Sequence, residues 1–335
     1  MKPLGIKTSA LLLLFSLVAC GNTKQNKKTV KAEGTKTESI TIPQFNADSA
    51  YTYIADQVSF GPRVPNSEEH KQCADYLVKQ LERFGAEVIR QDFEAIGYDG
   101  TVLNASNIIG SYNPENKRRI ALFSHWDTRP WADNDPNPKN HKTPVLGAND
   151  GASGVGVLLE IARLIENNQP NLGIDIILFD VEDYGAPQFY KGPHRDEQWG
   201  LGSQYWSRIP HTPNYNARFG ILLDMVGGKN ATFYKEGYSL HYAKELTNKI
   251  WSQAKAIGYG PMFVNQEGGT VIDDHLFINR IANIKTVDII PFQPENEQSS
   301  FGSTWHTLDD TLDNIDKKTL KAVGETVLTV IYNEH

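Results

Sequence analysis

Six residues spread along the chain have the side-chain types that bind a catalytic metal ion. All but one of them follow, or end, a short apolar run that is typical of a buried β-strand. In an open α/β sheet, side chains just beyond the strand ends converge on one crevice. Imidazoles and carboxylates in a crevice are the usual ligands of catalytic zinc, whereas structural zinc favours cysteine. The six candidates are His125, Asp127, Asp150, Asp183, Asp224 and His306, of which His306 lies in a loop.

A second acid, Glu182, directly precedes Asp183 at the end of the apolar run 174–181. Neighbouring residues of a strand point to opposite faces, so the two acids reach one site only if the chain turns there. Gly185 provides such a turn in the sequence. One acid on a metal ion with the other beside it is the arrangement that metal-assisted proton transfer requires. We therefore expect Glu182 to carry protons.

Each candidate also has an ordinary structural explanation. His125 and Asp127 could form an isolated hydrogen-bonded pair, in which Asp127 fixes the imidazole tautomer. Asp150 could be the N-cap of the helix that follows it. Asp224 ends a buried strand, where a charge needs a partner, and a metal ion would supply one. The joint occurrence of these residues beside predicted strands favours the metal site over the separate explanations.

Other polar residues are expected to have structural roles. Asp274 is expected to cap a short helix that opens at 273–275. Trp305, which precedes His306, is expected to form a wall of the pocket. Three acids are expected to cap and solvate the closing helix rather than bind metal, namely Asp309, Asp310 and Asp313. The remaining histidines are expected to be solvated, and they are His70, His141, His194, His211, His241 and His335.

Helices and strands must alternate along the chain to bring the candidate residues together. Apolar residues recur at helical spacing in five segments, which are 46–58, 67–84, 151–167, 240–257 and 320–332. β-rich runs predict strands at 86–93, 101–111, 119–124, 174–181, 219–225 and 283–291. This alternation predicts an α/β fold of three αβα layers with a mixed, mostly parallel central sheet. Long loops at 131–144, 184–202 and 291–304 flank candidate ligands, which is typical of functional loops.

The composition suits one large globular domain or two small ones. The chain has 335 residues, of which 39% are hydrophobic, enough to build a sizeable core. The net charge of −7 and the dispersed lysines argue against nucleic acid as a partner. Of the two cysteines, Cys73 falls within a helical pattern and is expected to be a buried small hydrophobe. No disulfide framework is predicted.

The first 40 residues predict targeting rather than folding. Lys2 and Lys7 precede an apolar run at 11–19, which is too short to span a bilayer stably. The run ends in LVACG, which resembles a bacterial lipobox with Cys20 as the lipidated residue. We expect a signal peptide at 1–19, a flexible tether at 20–40 and one zinc-dependent catalytic domain at 41–335. The protein would then be lipid-anchored in the bacterial cell envelope and face the periplasm, with the inner and outer membrane both open.

The order of the motifs resembles that of the zinc aminopeptidases and of the animal-type glutaminyl cyclases, which share their fold. The resemblance covers residues 46–335, and its segments are SHWDTRP, LGANDGASG, FDVEDYG, LLDMVG and TWHTLDD. Two features favour the cyclases. Residues 273–275 read Asp-Asp-His, where aminopeptidases carry Ser-Asp-His, and a tryptophan precedes His306 with Thr-Leu-Asp-Asp after it. The chain therefore resembles a bacterial lipoprotein member of the zinc-dependent glutaminyl cyclases.

The cyclase resemblance implies a role for each matching residue. One zinc ion per chain would be bound by three residues, which are Asp150, Asp183 and His306. Glu182 would be the general acid and base. Asp224 and Asp273 would form an acidic hydrogen-bond network beside it, and Trp305 would line the substrate pocket.

The same resemblance implies a reaction on peptides or proteins that begin with glutamine. The glutamine would be converted to pyroglutamate with release of ammonia. A two-zinc exo-aminopeptidase of the same fold is an alternative, because His125 and Asp224 could complete a second metal site. A non-catalytic binding module at the cell surface is a further alternative, although it predicts a degraded ligand set, and the set here is complete.

The chain departs from the animal cyclases at four points. Asp183 replaces a glutamate, so the metal ligand is one methylene shorter. Asp288 stands where the animal enzymes have a histidine. The tryptophan expected soon after the acidic pair is absent, and residues 188–200 look like an insertion. These departures predict a pocket of different shape with similar zinc chemistry.

Overall fold

A six-stranded mixed sheet forms the centre of the protein, whose computed structural model describes residues 41–334. Its strands in spatial order are β1 (Glu87–Ile96), β2 (Val102–Tyr112), β4 (Gly173–Phe179), β3 (Arg119–His125), β5 (Gly220–Leu223) and β8 (Thr286–Ile289). The pairs β1–β2 and β2–β4 are antiparallel, whereas β4, β3, β5 and β8 run parallel to one another. Two further strands, β6 (Phe233–Lys235) and β7 (Phe263–Glu267), form a small parallel sheet of their own.

Seven α-helices lie within residues 41–334. They are α1 (Ala47–Ser59), α2 (Glu68–Arg83), α3 (Ala152–Asn167), α4 (Leu201–Arg208), α5 (Gly237–Ala256), α6 (Asp274–Phe277) and α7 (Lys317–Tyr332). None of the helices in this range combines the length and apolarity that crossing a bilayer requires. The predicted signal peptide, Cys20 and the predicted tether lie outside the described residues, as does His335.

The pleat of the strands sends neighbouring side chains into two separate cores. On β3, Ile120 and Leu122 pack into the larger core with residues of α1, α2, α3, α5 and α7. Phe123 of the same strand faces a smaller core that contains Trp206 of α4. The sheet therefore lies between two helical layers, which confirms the predicted αβα fold. Cys73 of α2 is a buried free cysteine in the larger core, as predicted.

Three short elements escape the sequence prediction. Helix α4 begins at Leu201, within the segment 184–202 that the sequence predicts as a loop. It has eight residues, too few to display a helical period of apolar side chains. Strands β6 and β7 have three and five residues and give no clear alternation. Only long segments show a recognisable period of apolar residues. These short elements are instead defined by their packing.

The start of α7 also differs from the prediction. Asp316 begins this helix by accepting a hydrogen bond from the backbone N–H of Lys318 at 2.8 Å. The prediction that Asp309, Asp310 and Asp313 cap the helix is therefore wrong. Asp309 and Asp313 are exposed to solvent, as predicted, whereas Asp310 is buried.

The parallel strands deliver most of the candidate residues to one edge of the sheet. β3 ends at His125, β5 ends just before Asp224, and the chain leaving β4 leads to Glu182 and Asp183. Because the carboxyl ends of parallel strands meet at the same edge, these side chains converge.

Asp150 reaches this edge by another route. It precedes α3, and no strand of the structure leads into it, so the prediction that it follows a strand is wrong. The start of α3 packs directly against the end of β5, since a Cβ atom on Gly154 would lie 2.3 Å from the carbonyl oxygen of Leu223. The glycine is required for this close approach.

Candidate active site

Asp150 stands between two histidines and joins two clusters of metal-ligand type. On one side, its Oδ1 lies 3.0 Å from Nε2 of His125, which is also 3.1 Å from Oδ1 of Asp224. On the other side, its Oδ2 lies 3.6 Å from Nε2 of His306, which is also 3.3 Å from Oδ1 of Asp183. All five side chains are buried. The structure thus brings together five of the six residues predicted to bind metal, with one carboxylate shared between two trios.

The trio around His306 has the spacing of metal ligands. Zinc lies about 2.0–2.2 Å from imidazole nitrogen and carboxylate oxygen, so tetrahedral ligands lie roughly 3.3–3.5 Å apart. The distances of 3.3 and 3.6 Å from His306 match that spacing. Moreover, Oδ2 of Asp183 is buried and has no hydrogen-bond partner within the described residues. These residues therefore fit a divalent metal ion.

The trio around His125 has the spacing of hydrogen bonds. The distances of 3.0 and 3.1 Å suit an N–H shared with two carboxylates. Burial alone would lower the pKa of His125, but hydrogen bonds to Asp127, Asp150 and Asp224 outweigh burial and raise the pKa well above its ordinary value. The imidazole of His125 therefore lies among acids at distances that allow it to hydrogen-bond to both Asp150 and Asp224.

Asp127, the sixth candidate, supports both clusters from behind. Its Oδ1 lies 3.4 Å from Nδ1 of His125, as the sequence analysis predicts for a residue that fixes the imidazole. The same carboxylate accepts the backbone N–H of Glu182 at 3.0 Å and that of Asp183 at 3.2 Å. It therefore holds the acidic pair in place rather than binding metal.

The turn that orients the acidic pair comes earlier than predicted. β4 ends at Phe179, and Val181 adopts a φ of +50°, which turns the chain before the two acids. Gly185 has another role, because a Cβ atom there would lie 2.2 Å from the ring of Trp199. The prediction that Gly185 makes the turn is wrong.

Two histidines predicted to be solvated are structural. His70 is buried, its ring stacks on Trp126, and its Nε2 lies 2.8 Å from Oδ1 of Asp180. Asp180 also accepts the backbone N–H of Val181, so the His70–Asp180 pair supports the turn described above. His211 is half-buried and accepts a hydrogen bond from the indole of Trp206 at 3.1 Å. A helical position alone does not reveal the partners that bury a histidine.

Glu182 is the acid of the pocket whose carboxylate accepts no hydrogen bond within residues 41–334. Its side chain lines the same pocket as the trio residues other than His125. Burial raises the pKa of Glu182 well above its ordinary value. The nearby His125 acts in the opposite direction, and the charges of Asp183, Asp273 and Asp274 raise the pKa further. The arrangement provides a carboxyl group that can gain and lose a proton close to a metal ion.

An arginine and an aspartate that the sequence analysis misses surround the His306 trio. Arg129 pairs with Asp133 through two hydrogen bonds of 2.7 Å and is 3.4 Å from Oδ1 of Asp183. Asp133 lies in turn 3.5 Å from Nδ1 of His306. This orients the imidazole, since a second acceptor fixes which nitrogen is free for metal. Both residues lie in or beside the long loop 131–144, where no periodic pattern marks a buried residue.

Asp310 is a third residue whose role at the site the sequence does not reveal. Its carboxylate accepts the backbone N–H of Asn149 at 2.7 Å and that of Asp150 at 3.0 Å. Burial, followed by the charge of Asp150, raises the pKa of Asp310 to about 7. The residue fixes the loop that carries the shared ligand, rather than solvating the closing helix.

A further group of buried acids lies behind Glu182 and Asp224. Asp273 begins α6 by accepting the backbone N–H of Asp274, so Asp273 is the N-cap, and the prediction for Asp274 is wrong. Both carboxylate oxygens of Asp288 are buried without a hydrogen-bond partner in the described part of the chain. Burial, then the neighbouring Asp273, raises the pKa of Asp288 well above its ordinary value. Burial likewise raises the pKa of Asp224 to about 7.

The residues described above open into a pocket of about 190 Å³. Trp305 lines it, as predicted, and its ring stacks on His306 with 3.8 Å between ring centroids. Trp199, from the predicted insertion 188–200, forms another wall, with its ring parallel to His306 at 6.2 Å. The tryptophan that is missing soon after the acidic pair is thus replaced by one later in the chain. The walls are apolar and the floor carries acids, which suits a small ligand with a polar end.

Comparison with known proteins assigns the fold and its chemistry to a family. The chain belongs to peptidase family M28, whose model matches residues 107–331. This range contains every residue of the two trios.

Two solved structures resemble the chain over 88% of its length and all of their own. A Bacteroides thetaiotaomicron glutaminyl cyclase bound to N-acetylhistamine is 64% identical, with a TM-score of 0.87. A protein described as a leucine aminopeptidase precursor from Bacteroides thetaiotaomicron VPI-5482 is also 64% identical, with a TM-score of 0.86. Among curated proteins, the glutaminyl-peptide cyclotransferase of Bos taurus is 25% identical over 312 residues, which cover 82% of this chain and 78% of that protein.

Proposed function

We propose that this protein is a glutaminyl-peptide cyclotransferase, which converts the N-terminal glutamine of peptides and proteins to pyroglutamate and releases ammonia. One observation carries the proposal: a trio at metal-ligand spacing shares a small pocket with a carboxylate that accepts no hydrogen bond within the described residues. The carboxylate is that of Glu182, and the trio is Asp150, Asp183 and His306. The 64%-identical glutaminyl cyclase supports the assignment.

The reaction is intramolecular. The α-amine of the glutamine attacks the carbonyl carbon of its own side chain, so a new C–N bond closes the ring and the C–N bond to the departing ammonia breaks. The attacking amine loses one proton, and the departing nitrogen gains one. Glu182 takes the first proton and delivers the second, so no external co-reactant is needed. Zinc held by the trio would polarise the side-chain carbonyl and stabilise negative charge on its oxygen.

The environment of Glu182 suits this double role. A general acid and base works best when its pKa lies near the operating pH. Burial raises the pKa of Glu182 well above its ordinary value, whereas the charge of a metal ion on Asp183 would act in the opposite direction. The backbone N–H bonds to Asp127 hold Glu182 in position while its proton moves.

The pocket walls favour cyclisation over hydrolysis. Trp199, Trp305 and Phe301 leave a cavity of about 190 Å³, which holds one folded side chain and little water. A glutamine confined there keeps its amine close to its own carbonyl, the near-attack geometry that lowers the entropic part of the barrier.

One metal ion per chain follows from the unequal spacing of the two trios. The His306 trio has the separation of tetrahedral ligands, whereas the His125 trio has hydrogen-bond distances. We therefore assign the metal to Asp150, Asp183 and His306, with His125 and Asp224 joined by a hydrogen bond.

A two-metal aminopeptidase is the second candidate function. The observation that favours it is the completeness of the second trio, since His125, Asp150 and Asp224 are positioned to hold a metal ion of their own. Such an enzyme would need both metals to activate water and bind the free N-terminus.

Product analysis separates the two functions. Purified protein would be incubated with a short peptide that begins with glutamine, with and without a chelator, and both ammonia and product mass would be followed. Metal-dependent loss of ammonia from an otherwise intact peptide is the expected result. A free amino acid and a peptide one residue shorter would establish the aminopeptidase instead.

The cellular setting of this activity is part of the proposal. We propose that the chain is anchored through a lipid on Cys20 and faces the periplasm, where proteins expose N-terminal glutamine after signal cleavage. The lipobox-like LVACG segment supports this. Cys20→Ala should release the protein from the membrane fraction. Mass spectrometry of envelope proteins with and without the enzyme should show loss of pyroglutamate at those N-termini, and unchanged N-termini would contradict the proposed substrates.

A further inference from the structure

A second cavity, of about 330 Å³, adjoins the reaction pocket. Met225 and Phe301 line both cavities. The two are also joined along the chain, because Asn149 lines the second cavity and Asp150 the first. A ligand that fills the reaction pocket and extends beyond it can therefore enter the second cavity, which we call the amide groove.

The chemistry of the amide groove is the reverse of that in the reaction pocket. No carboxylate lines the groove, whereas five carboxylates line the reaction pocket. The groove instead presents one cation, Lys229, which is exposed and forms no ion pair within residues 41–334. Its other polar groups are mainly carboxamides, which are Asn149, Asn230, Gln293, Asn296 and Asn314. In a chain of net charge −7, an acid-free groove with a free lysine favours ligands that carry peptide groups and negative charge.

Asn149 supplies an unpartnered donor to this groove. The residue is only 6% exposed, and its Oδ1 accepts the backbone N–H of Gly227 at 2.9 Å. Its Nδ2 donates no hydrogen bond within the described residues. A Cβ atom on Gly228, another groove residue, would lie 3.3 Å from this nitrogen. A buried carboxamide whose oxygen already accepts a hydrogen bond, and whose N–H₂ group has no acceptor and borders a cavity, can donate to the carbonyl of a ligand.

We propose that the amide groove binds the residues that follow the N-terminal glutamine of the substrate, and that it selects for a carboxylate there. This inference rests on the proposed cyclotransferase function. Asn149 donates to a backbone carbonyl of the peptide, and Lys229 attracts a carboxylate. That carboxylate belongs either to an acidic side chain at the second or third residue or to the C-terminus of a short peptide.

Charge reversal at Lys229 tests the selection. The substrates are Gln-Ala-Ala-amide, Gln-Glu-Ala-amide, Gln-Ala-Glu-amide, Gln-Ala-Ala with a free C-terminus, and glutamine amide, which is too short to reach the groove. We expect the two glutamate peptides or the free-acid peptide to exceed Gln-Ala-Ala-amide in kcat/KM, and Lys229→Glu to reduce that preference about fivefold. Added salt should weaken the preference in the wild type. The matched control is Lys244→Glu, at an exposed lysine of another surface cavity. This variant should leave the preference for carboxylate-bearing peptides unchanged.

The donor of Asn149 is tested by a near-isosteric change. Asn149→Asp keeps an oxygen for the Gly227 N–H and replaces the N–H₂ group by a second oxygen, which removes the donor and adds one negative charge. The glutamine amide substrate reports the effect of that charge on the reaction pocket. We expect kcat/KM for Gln-Ala-Ala-amide to fall relative to that for glutamine amide, with the loss mainly in KM. A purely structural defect beside Asp150 would lower both substrates together.

The outcomes separate this inference from the function on which it rests. If glutamine amide and every peptide fail to release ammonia in the wild type, the proposed function is wrong. If ammonia is released but neither variant changes the ratio of peptide to glutamine amide, the groove does not bind substrate. If only the peptide with a free C-terminus is preferred, the groove binds the C-terminal carboxylate. If the amidated glutamate peptides are preferred, the groove binds the glutamate side chain.

Discussion

The two sides of Asp150 contain the same kinds of residue but differ in the distances between them. Each side has one histidine and one further aspartate. On the His306 side the separations from Nε2 are 3.3 and 3.6 Å, the spacing of ligands around a metal ion. On the His125 side they are 3.0 and 3.1 Å, the spacing of hydrogen bonds. Residue types alone would assign two metal sites, and a few tenths of an ångström favour one.

The surroundings of the two sides explain this difference. The His306 side is backed by the Arg129–Asp133 pair, whose guanidinium compensates Asp183 and whose carboxylate orients the imidazole. The His125 side is backed by buried acids, and burial there raises the pKa of Asp224 to about 7. On that side the acids surround an imidazole, that of His125, rather than a guanidinium. Glu182 lies between the two and is the group free to carry a proton.

The largest expected effect is that of Glu182→Gln, which removes the proton carrier between the two sides. We expect kcat/KM to fall about 1,000-fold, because general acid–base catalysis contributes roughly 10²–10⁴-fold. Metal content should stay the same, since the variant leaves both trios intact. Glu197→Gln, an exposed change in the 188–200 loop, is the matched control. A Glu182→Gln enzyme with near-full activity would exclude Glu182 as the acid and base.

The next effect concerns the ion pair that backs the His306 side. Arg129→Met leaves Asp133 buried without its bidentate partner, which should lower the free energy of unfolding by about 3–5 kcal/mol. Denaturant unfolding at fixed metal concentration measures this. The control Lys317→Met breaks an exposed pair with Asp48 and should have a much smaller effect, because water screens exposed ion pairs. Equal losses in the two variants would mean that the buried pair contributes nothing special.

Metal analysis of matched histidine variants addresses the comparison directly. His306→Gln removes a proposed ligand and should weaken zinc binding by more than about 100-fold, the upper range for residues that only support a ligand. His125→Gln should keep one zinc ion per chain. Dialysis against a metal buffer followed by elemental analysis gives both numbers. Two zinc ions in the wild type, with one lost from each variant, would overturn the single-metal assignment and favour the aminopeptidase.

The smallest effect tests whether protons occupy the acids behind the His125 side. Burial raises the folded-state pKa of Asp288, so between pH 4 and that raised pKa the unfolded chain has lost a proton that the folded chain keeps. The unfolded state then binds fewer protons, and the contribution of Asp288 to stability falls as pH rises. It is fully present only below the unfolded pKa of about 4.

The asparagine of the Asp288→Asn variant cannot ionise. The free energy of unfolding of the variant should therefore increase relative to that of the wild type as pH rises. The expected gain is about 1.4 kcal/mol for each unit by which the pKa is raised. Urea unfolding at pH 5 and pH 8 measures it, with the exposed Asp309→Asn as the control for removing an acid. A constant difference between variant and wild type at the two pH values would show that Asp288 is already ionised in the folded protein.

The sequence predicts well those residues whose position follows from a local pattern. His125 ends a β-strand, and Glu182, Asp183 and Asp224 follow strands, so alternation and the rule for parallel strands place them at one edge. Asp150 is correctly predicted as a site residue from its side-chain type, although no strand precedes it. Its real support, the packing of α3 on β5, depends on Gly154.

The residues that escape prediction lie in loops or are buried by distant partners. Arg129 and Asp310 look like ordinary loop residues, and only the fold shows that they hold Asp183 and the backbone of Asp150. The sequence pattern places His70 on the surface of a helix. In the structure it is buried and pairs with Asp180, which is 110 positions away in the chain. No periodicity can report a partner so far along the chain.

The sequence by itself therefore determined the fold class and the kinds of side chain that meet at the site. These follow from periodicity and from side-chain chemistry, which are local properties of the chain. Only the tertiary structure decided which side of Asp150 has metal-ligand spacing, which acids are buried enough to hold protons, and which groove continues the reaction pocket. Those features depend on separations of a few tenths of an ångström and on burial, and both are set by the packing of segments that are distant in sequence.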